Sequence, residues 1–141
     1  MDTPLSATQL LDYARAILAQ QPFSQWLGAE LVSADREHAC LALPVTPSML
    51  QQHGFVHGGV LSYLADNSLT FAGGLTLGGN ALTSEFKINY LRPAQGQQLR
   101  AEARVVGAGR RQAVTRCEIW CEQDGQSKLC AVAQGTIVSA G

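Results

Sequence analysis

The sequence contains little charge and no long apolar run. Charged residues occupy only 15% of the 141 positions, whereas apolar residues occupy 46%. Small monomers usually carry more charge on their surface, so this shortage predicts that other copies of the chain cover part of the surface. The net charge is −1, and the acids and bases are interspersed. Without a basic stripe the chain offers nucleic acid no electrostatic surface, and no nucleic-acid partner is expected.

Segments that would direct the chain to or across a membrane are also lacking. No apolar run approaches the roughly 20 residues that a membrane-spanning helix needs. The N-terminal stretch from Met1 to Leu10 lacks the charged and apolar parts of a secretory signal. The expected location is therefore the cytoplasm, with no membrane partner.

The cysteines do not have the spacing of a metal site. Cys40, Cys117, Cys121 and Cys130 contain no C-x-x-C pair, and no cysteine and histidine spacing fits structural zinc. Cys117 and Cys121 lie four residues apart in a stretch that reads as a strand, so they share a face. We expect these two to be small core residues rather than a redox pair.

The first part of the chain predicts a helix and a hairpin. An amphipathic helix is expected from Ser6 to Gln21, with Ser6 as its N-cap and Pro22 directly after its end. Gly28 to Leu43 reads as a β-hairpin, and Pro44 to Phe55 reads as a loop.

The second part predicts one long helix followed by an antiparallel meander. The helix runs from Gly58 to about Ala72, and the pairs Gly73-Gly74 and Gly78-Gly79 mark its end and a flexible connection. Alternation of apolar and polar residues then predicts strands at 82–90, 99–105, 115–122 and 129–138. In the first of these strands, the even-numbered residues are expected on one face and Thr83 on the other.

These elements predict an α+β fold, in which an antiparallel sheet of five or six strands covers a single long helix. The whole chain, 1–141, is expected to form one domain with an N-terminal helical extension at 1–25. Trp120 and Val106 fall on the outward face of the sheet, which again predicts an oligomer.

The first candidate for chemistry is His57-Gly58-Gly59, at the turn into the long helix. The first N–H groups of a helix have no intrahelical partner and lie at the positive end of the helix dipole. Glycines expose these groups, which then suit an oxyanion or a polarised carbonyl. The alternative is that two glycines simply permit a tight turn from loop to helix.

The second candidate is Asp66, in the middle of an otherwise apolar helix. In a partly desolvated cleft a carboxylate gains basicity, which suits a general base or nucleophile. The alternative is that it faces solvent, since Ser62 and Thr70 lie four residues to either side and would form a polar strip with it. Gly58 and Asp66 are eight residues apart, which is about 12 Å along a helix. One substrate carbonyl cannot touch both groups in one subunit, so a shared site requires a two-fold interface.

The segment from Gly54 to Asn67 resembles the signature of the PaaI-like branch of the hotdog-fold thioesterases. It has a loop glycine, then His-Gly-Gly, then an acidic residue nine positions after the histidine. The stretch from Leu82 to Pro93, which ends in Asn-Tyr-Leu-Arg-Pro, is similar to the strand that follows the central helix in that family. The resemblance covers roughly Trp26 to Val138. It implies a hotdog fold and hydrolysis of acyl-CoA thioesters without a metal or cofactor.

The resemblance also implies roles by position. The N–H of Gly58 would polarise the thioester carbonyl, and Asp66 of a neighbouring subunit would activate water or attack directly. Thr83 stands where the family often has a serine or threonine that helps to hold the water. His57 would border the oxyanion site, although a merely structural role stays open. Gln51 replaces the asparagine that many relatives carry six residues before the histidine, and its longer side chain can donate the same hydrogen bond.

The remaining candidates concern substrate binding and assembly. Gly59 would lie with Gly58 beside the carbonyl, and the CoA phosphates are expected near the basic residues Arg92, Arg110 and Arg111. The acyl pocket is expected to be lined by residues near Leu50, Phe55, Tyr63 and Phe71. The expected partners are an acyl-CoA substrate and further copies of the chain, in a homodimer at least or a homotetramer made of two dimers.

Two other functions are compatible with the same residues. A hotdog dehydratase or hydratase would act on 3-hydroxyacyl or enoyl thioesters, with His57 or Asp66 removing a proton next to the carbonyl. The spacing of the histidine-glycine-glycine turn and the aspartate favours hydrolysis. A non-catalytic acyl-CoA-binding module would use the same cleft, but the sequence has no DNA-binding segment that would give a regulator its output.

Overall fold

A computed structural model describes residues 3–141, so the first two positions of the stretch Met1 to Leu10 lie outside the described residues. The helices are α1 (Ala7–Ala19), α2 (Pro22–Leu27) and α3 (Gly58–Thr76), and a 3-10 turn lies at Pro47–Met49. The strands are β1 (Glu30–Ala34), β2 (His38–Pro44), β3 (Ala81–Tyr90), β4 (Gln98–Ala108), β5 (Gln112–Gln123) and β6 (Gln126–Ser139). Within the described range, no helix is long and apolar enough to cross a membrane.

The six strands form one antiparallel sheet in the order β1-β2-β4-β5-β6-β3, and α3 packs across one face of it. Leu64 and Leu69 of α3 are fully buried against Leu99 and Ile119 of the sheet. Each fully buried side chain of this size stabilises the fold by about 1.5–3 kcal/mol. The predicted α+β arrangement of one long helix and five or six strands is confirmed. Strands β1 and β3 form the two edges of the sheet.

The N-terminal helix is confirmed, and a second short helix follows it that the sequence did not predict. Ser6 caps α1 through a reciprocal pair of hydrogen bonds with Gln9. Pro22 occupies the first position of α2, where its fixed φ is already helical and its missing N–H costs nothing. Gly28, with φ of 85°, ends this helix in the left-handed conformation. The helical N-terminal segment therefore extends beyond residue 25 to Leu27.

The prediction that α3 ends at Gly73-Gly74 is wrong, because the helix continues to Thr76. A Cβ added at Gly73 would lie 2.7 Å from the Cβ of Ile137 on β6. Glycine at this position therefore lets the helix approach the sheet closely. The connection after the helix does contain Gly78 and Gly79, both with positive φ, as expected.

The face assignment in β3 is wrong for the first half of the strand. The pairing with β6 shifts register between Thr83 and Glu85, which is a β-bulge. An extra residue in a strand reverses the faces on its two sides. As a result Leu82 is 62% exposed, whereas Thr83 faces the same side as the half-buried Phe86. The predicted alternation in β4 and β5 is confirmed, and Cys117 and Cys121 are both buried there.

Candidate active site

The N-terminus of α3 is capped by the side chain of His57. This residue has φ −58° and ψ 136°, and its Nδ1 accepts the N–H of Gly59 at 2.8 Å. The ring proton therefore belongs on Nε2. The N–H of Gly58, the first residue of the helix, has no protein acceptor within residues 3–141. Of the two glycines, only Gly58 thus has a free N–H for an oxyanion, and Gly59 does not.

Tyr90, at the end of β3, hydrogen-bonds to the first turn of α3. Its Oη donates to the carbonyl of Gly58 at 3.0 Å and lies 2.8 Å from Ser62 Oγ. A Cβ added at Gly58 would lie 3.2 Å from Tyr90 Oη, so glycine leaves the room that the phenol ring needs. Sequence reasoning missed this contact, although Tyr90 belongs to the Asn-Tyr-Leu-Arg-Pro stretch.

Asp66 is half-buried, and one of its carboxylate oxygens is held by a hydroxyl of β3. Thr83 Oγ1 donates to Asp66 Oδ1 at 2.5 Å. Thr70 Oγ1 donates to the backbone carbonyl of Asp66 at 2.7 Å and lies 2.7 Å from Thr83 Oγ1. No group of the described chain donates to Oδ2. Asp66 therefore has one oxygen fixed in position and one oxygen free to accept a proton or attack a substrate.

The polar strip of Ser62, Asp66 and Thr70 exists, but it does not simply face solvent. Its members lie against β3, where Ser62 meets Tyr90 and the other two meet Thr83. The bulge in β3 is essential for this arrangement, because without the extra residue Thr83 would face the opposite side of the sheet.

Gln51 lies close to Gly58 in the loop before α3. Its Oε1 accepts the N–H of His53 at 2.5 Å, and its own backbone N–H donates to the carbonyl of Phe55 at 2.8 Å. Gln51 and Gly58 line a cavity of about 420 Å³ together with Phe55, Tyr90 and Arg92. The oxygen of the Gln51 carboxamide is thus engaged in the loop, and its NH₂ group is the part that can donate to a ligand.

The three predicted CoA-phosphate residues do not lie together in one subunit. Arg92 follows the end of β3 and lies in the Gly58 cavity. Arg110 and Arg111 form the turn between β4 and β5, where the Arg111 carbonyl accepts the N–H of Ser139. Ser139 pairs with Ala81 at the opposite end of β3. A ten-residue strand spans about 30 Å, so the two arginine groups cannot bind one phosphate within a subunit.

The four residues predicted to line an acyl pocket are also separated. Phe55 lines the cavity beside Gly58, and Phe71 lines another cavity beside α1. Leu50 instead borders an apolar cleft of about 580 Å³ next to His57, formed also by Phe23, Trp26, Leu27, Met49 and Val60. Within one subunit these four residues therefore do not line one cavity, and a shared acyl pocket stays a prediction.

Tyr63 takes part in a hydrogen-bond network that the sequence did not predict. Its Oη donates to Ser24 Oγ at 2.6 Å and accepts from Asn67 Nδ2 at 3.0 Å. Asn67 also donates to Gln21 Oε1 at 3.1 Å. Ser24 is only 1% exposed, so this network fixes α2 against α3 at the wall of the apolar cleft. The bonds from Tyr63 and Asn67 to Ser24 and Gln21 join residues 39 to 46 apart in sequence, and no local pattern indicates them.

Comparison with known proteins places the chain among thioesterases. Residues 53–128, which include the turn, Asp66 and Thr83, match the family model described as the thioesterase superfamily. The acyl-coenzyme A thioesterase PaaI of Escherichia coli K12 is 33% identical, over 86% of this chain and 85% of that protein. The medium/long-chain acyl-CoA thioesterase YigI of the same strain is 28% identical, over 87% of this chain and 91% of that protein.

Solved structures agree. The E. coli PaaI protein, from the phenylacetic acid degradation operon, superposes with a TM-score of 0.86 at 29% identity. The match covers 96% of each chain. Together with the long helix α3 and the six-stranded sheet, this confirms the hotdog fold that the sequence resemblance implies.

Proposed function

This chain belongs to the thioesterase superfamily and is a thioester hydrolase, and we propose that it cleaves acyl-CoA thioesters to a free acid and CoA. The observation that supports the proposal is that α3 carries a free hydrogen-bond donor and a free carboxylate oxygen. The N–H of Gly58 has no protein acceptor in residues 3–141, and Asp66 has one oxygen held by Thr83 and one without a donor. The relatives described above, whose names state an acyl-CoA thioesterase activity, support the same substrate class.

The electrophilic half of the reaction belongs to Gly58. Its N–H lies at the N-terminus of a 19-residue helix, where the helix dipole favours negative charge. As the thioester carbonyl becomes tetrahedral, its oxygen gains charge and the hydrogen bond from Gly58 strengthens. Gln51 Nε2, in the same cavity, supplies a second donor to that oxygen. His57 stays structural in this scheme, since its Nδ1 is used to cap the helix.

The nucleophilic half belongs to Asp66. The hydrogen bond from Thr83 orients the carboxylate and leaves Oδ2 directed away from the strand hydroxyls. Oδ2 either takes a proton from a water that attacks the carbonyl, or attacks the carbonyl itself to give a mixed anhydride that water then hydrolyses. In both routes the tetrahedral intermediate collapses, the C–S bond breaks and the CoA thiolate leaves.

The two halves come from different subunits of a dimer. They lie about 12 Å apart along α3, too far for one carbonyl. Edge strand β3 carries large exposed apolar residues, with Leu82 62% exposed and Tyr90 52% exposed. If two β3 strands pair antiparallel about a two-fold axis, the Tyr90 end of one strand meets the Thr83 end of the other. Gly58 then lies beside Asp66 of the partner subunit, because Tyr90 contacts Gly58 and Thr83 contacts Asp66.

The same pairing joins the two arginine groups. Arg92 follows the Tyr90 end of β3, and Arg111 lies beside the Ala81 end. Across the dimer these ends meet, so Arg92 and the partner subunit's Arg110 and Arg111 form one basic surface for the CoA phosphates. A tetramer of two such dimers would cover the outward face of the sheet, where Val106 is 52% exposed.

The proposed location is the cytoplasm. Acyl-CoA is an intracellular substrate, and all four cysteines are free thiols, a state that a reducing compartment maintains.

A thiol-release assay tests the activity. The purified protein is given aryl, medium-chain and long-chain acyl-CoA, and release of CoA is measured with Asp66→Asn as the inactive variant. Asparagine keeps an oxygen that can accept from Thr83, so the fold is retained while the base or nucleophile is lost. We expect kcat to fall by about two orders of magnitude or more. Glu85→Gln is the matched control, because this carboxylate also accepts a threonine hydroxyl, from Thr136 at 2.6 Å.

Turnover of Asp66→Asn at the rate of the control would refute the role of Asp66. Incubation with crotonyl-CoA distinguishes the thioesterase from the dehydratase or hydratase, since loss of the enoyl absorbance would mean hydration instead of hydrolysis. Binding of every acyl-CoA without release of thiol would indicate a binding module.

Mixing two inactive variants tests the shared site. Gly58→Pro and Asp66→Asn each damage both sites of their own dimer. After subunit exchange about half of the dimers are hybrids, and one of the two sites in each hybrid is intact. Activity should therefore recover to roughly a quarter of the wild-type value. No recovery, with exchange verified by mass spectrometry, would mean that both groups act within one chain.

A further inference from the structure

Cys121 and Cys130 lie on neighbouring strands of the sheet and face the same interior space. Cys121 belongs to β5, where it pairs with Lys128 of β6. The register between these strands shifts after Ile119, so that Trp120 pairs with Leu129 and Ile119 with Ala131. Cys130 is the extra residue of this bulge. Its side chain turns inward and is fully buried, instead of alternating to the outer face.

The bulge brings the two thiols closer than regular pairing would. In a regular antiparallel pair, the diagonal neighbours on one face are about 7–8 Å apart. Leu129 and Cys130 together oppose Trp120, and the side chains of Cys121 and Cys130 come within hydrogen-bonding reach of each other. Cys130 Sγ also lies 3.2 Å from the carbonyl oxygen of Ile119. The bulge in β6 thus places the Cys130 thiol beside Cys121, and burial limits the movement of the Cys130 side chain.

Cys121 also borders a cavity, although it is only 6% exposed. The cavity has a volume of about 520 Å³ and contains two cationic side chains, Arg92 and Lys128, and one acidic one, Asp124. A thiol next to cations and open to a cavity is the environment of a reactive cysteine. Cys130 has no such opening, which makes it suited to react with Cys121 and not with solvent.

We propose that Cys121 and Cys130 form a peroxide-reactive dithiol, in which Cys121 is oxidised first and Cys130 then closes a disulfide with it. The thiolate of Cys121 attacks a peroxide oxygen, so that an S–O bond forms, the O–O bond breaks and the leaving hydroxide becomes water. Cys121 is then a sulfenic acid. The sulfur of Cys130 attacks that of Cys121, the S–O bond breaks, and hydroxide leaves with the Cys130 proton as a second water. The pair loses two electrons, and the peroxide gains them.

The acidity of the four thiols supports this order. The pKa of Cys121 is lowered to about 7, chiefly because the Cys130 thiol hydrogen-bonds to it, with help from Arg92 and Lys128 against the effect of burial. The pKa of Cys130 is raised, chiefly by the same hydrogen bond. Burial raises the pKa of Cys40 and of Cys117 to about 11. At neutral pH the thiolate is therefore favoured at Cys121 over Cys40 and Cys117.

Peptide mapping of the native chain tests the proposal. The reduced protein is exposed to hydrogen peroxide, the remaining thiols are alkylated after denaturation, and the digest is analysed by mass spectrometry. We expect a Cys121–Cys130 linked peptide that a reductant removes. In Cys130→Ser, a sulfenic acid at Cys121 should instead be trapped by dimedone. Cys117→Ser is the matched control, another cysteine of β5, and should form the linked peptide like the wild type.

Three results would overturn it. One is oxidation of Cys40 or Cys117 at the same rate as Cys121 in the wild-type protein. Another is the absence of a Cys121–Cys130 linkage under peroxide that does modify other residues. The third is formation of a sulfenic acid at Cys121 that Cys130 never resolves. All three are measured on the wild-type chain and do not depend on whether a variant folds, or on thioesterase activity.

Discussion

The N–H of Gly58 is the group whose removal tests the site most directly, and the local geometry permits its removal by proline. Gly58 is the first residue of α3, a position where proline is favoured because no backbone hydrogen bond is lost. The preceding residue, His57, has φ −58° and ψ 136°, which is the conformation that a residue before proline prefers. Gly58→Pro should therefore fold normally and lack only the N–H.

Gly58→Ala is the matched control. Both variants add a Cβ that would lie 3.2 Å from Tyr90 Oη, a contact that a small movement of the phenol ring relieves. Only proline also removes the donor. Loss of one oxyanion donor costs about 2.7–4 kcal/mol of transition-state stabilisation, so kcat of Gly58→Pro should be about 100- to 1,000-fold below that of Gly58→Ala.

The assay is release of CoA thiol at saturating acyl-CoA, with thermal unfolding of both variants to verify the fold. Proline and alanine variants with equal kcat and equal midpoints would show that Gly58 does not polarise the carbonyl. The free N–H would then be a consequence of the tight turn alone.

Three further predictions concern neighbouring positions. Thr83→Val should lower kcat by about 10- to 100-fold, because a hydrogen bond to a charged group contributes about 1.5–3 kcal/mol. Thr83→Ser should keep most of the activity. Equal rates of the two variants would exclude the contact with Asp66 from the mechanism. Gly73→Ala should lower the free energy of unfolding by about 1–3 kcal/mol through overpacking. Urea denaturation measures the effect, and Gly107→Ala is the control, because a Cβ at that position meets no atom within 4 Å. Gln51→Glu keeps the oxygen that accepts the loop hydrogen bond but loses the NH₂ donor, so kcat should fall about 10-fold. An unchanged kcat would mean that Gln51 only stabilises the loop.

Local sequence determined the elements that carry the site. Helical periodicity after a glycine turn predicts α3, and period-two alternation predicts the strands, because each pattern depends only on neighbours within a few residues. The spacing of Gly58 and Asp66 on one helix likewise follows from the helical rise, and with it the expectation of a site shared between subunits. Length and low charge also predict that further copies cover part of the surface, which stays a prediction.

The failures in the prediction share a physical cause. Gly73 reads as a helix end by composition, but it is glycine because β6 approaches α3 at that point. Pro22 reads as a stop, but it begins α2, whose position depends on Tyr63 and Asn67 far along the chain. In each case a contact distant in sequence overrides a local preference, and the local pattern contains no record of that contact.

The sequence by itself determined that a carboxylate and a free helix N-terminus lie on one helix, because both follow from spacing and backbone geometry. Only the tertiary structure decided what surrounds them. The bulge in β3 turns Thr83 toward Asp66, and the bulge in β6 turns the Cys130 side chain into the buried interior. A bulge reverses the faces of a strand, and its place is selected by the register of the strand next to it. That register is set by packing across the whole sheet, which no single segment of the sequence specifies.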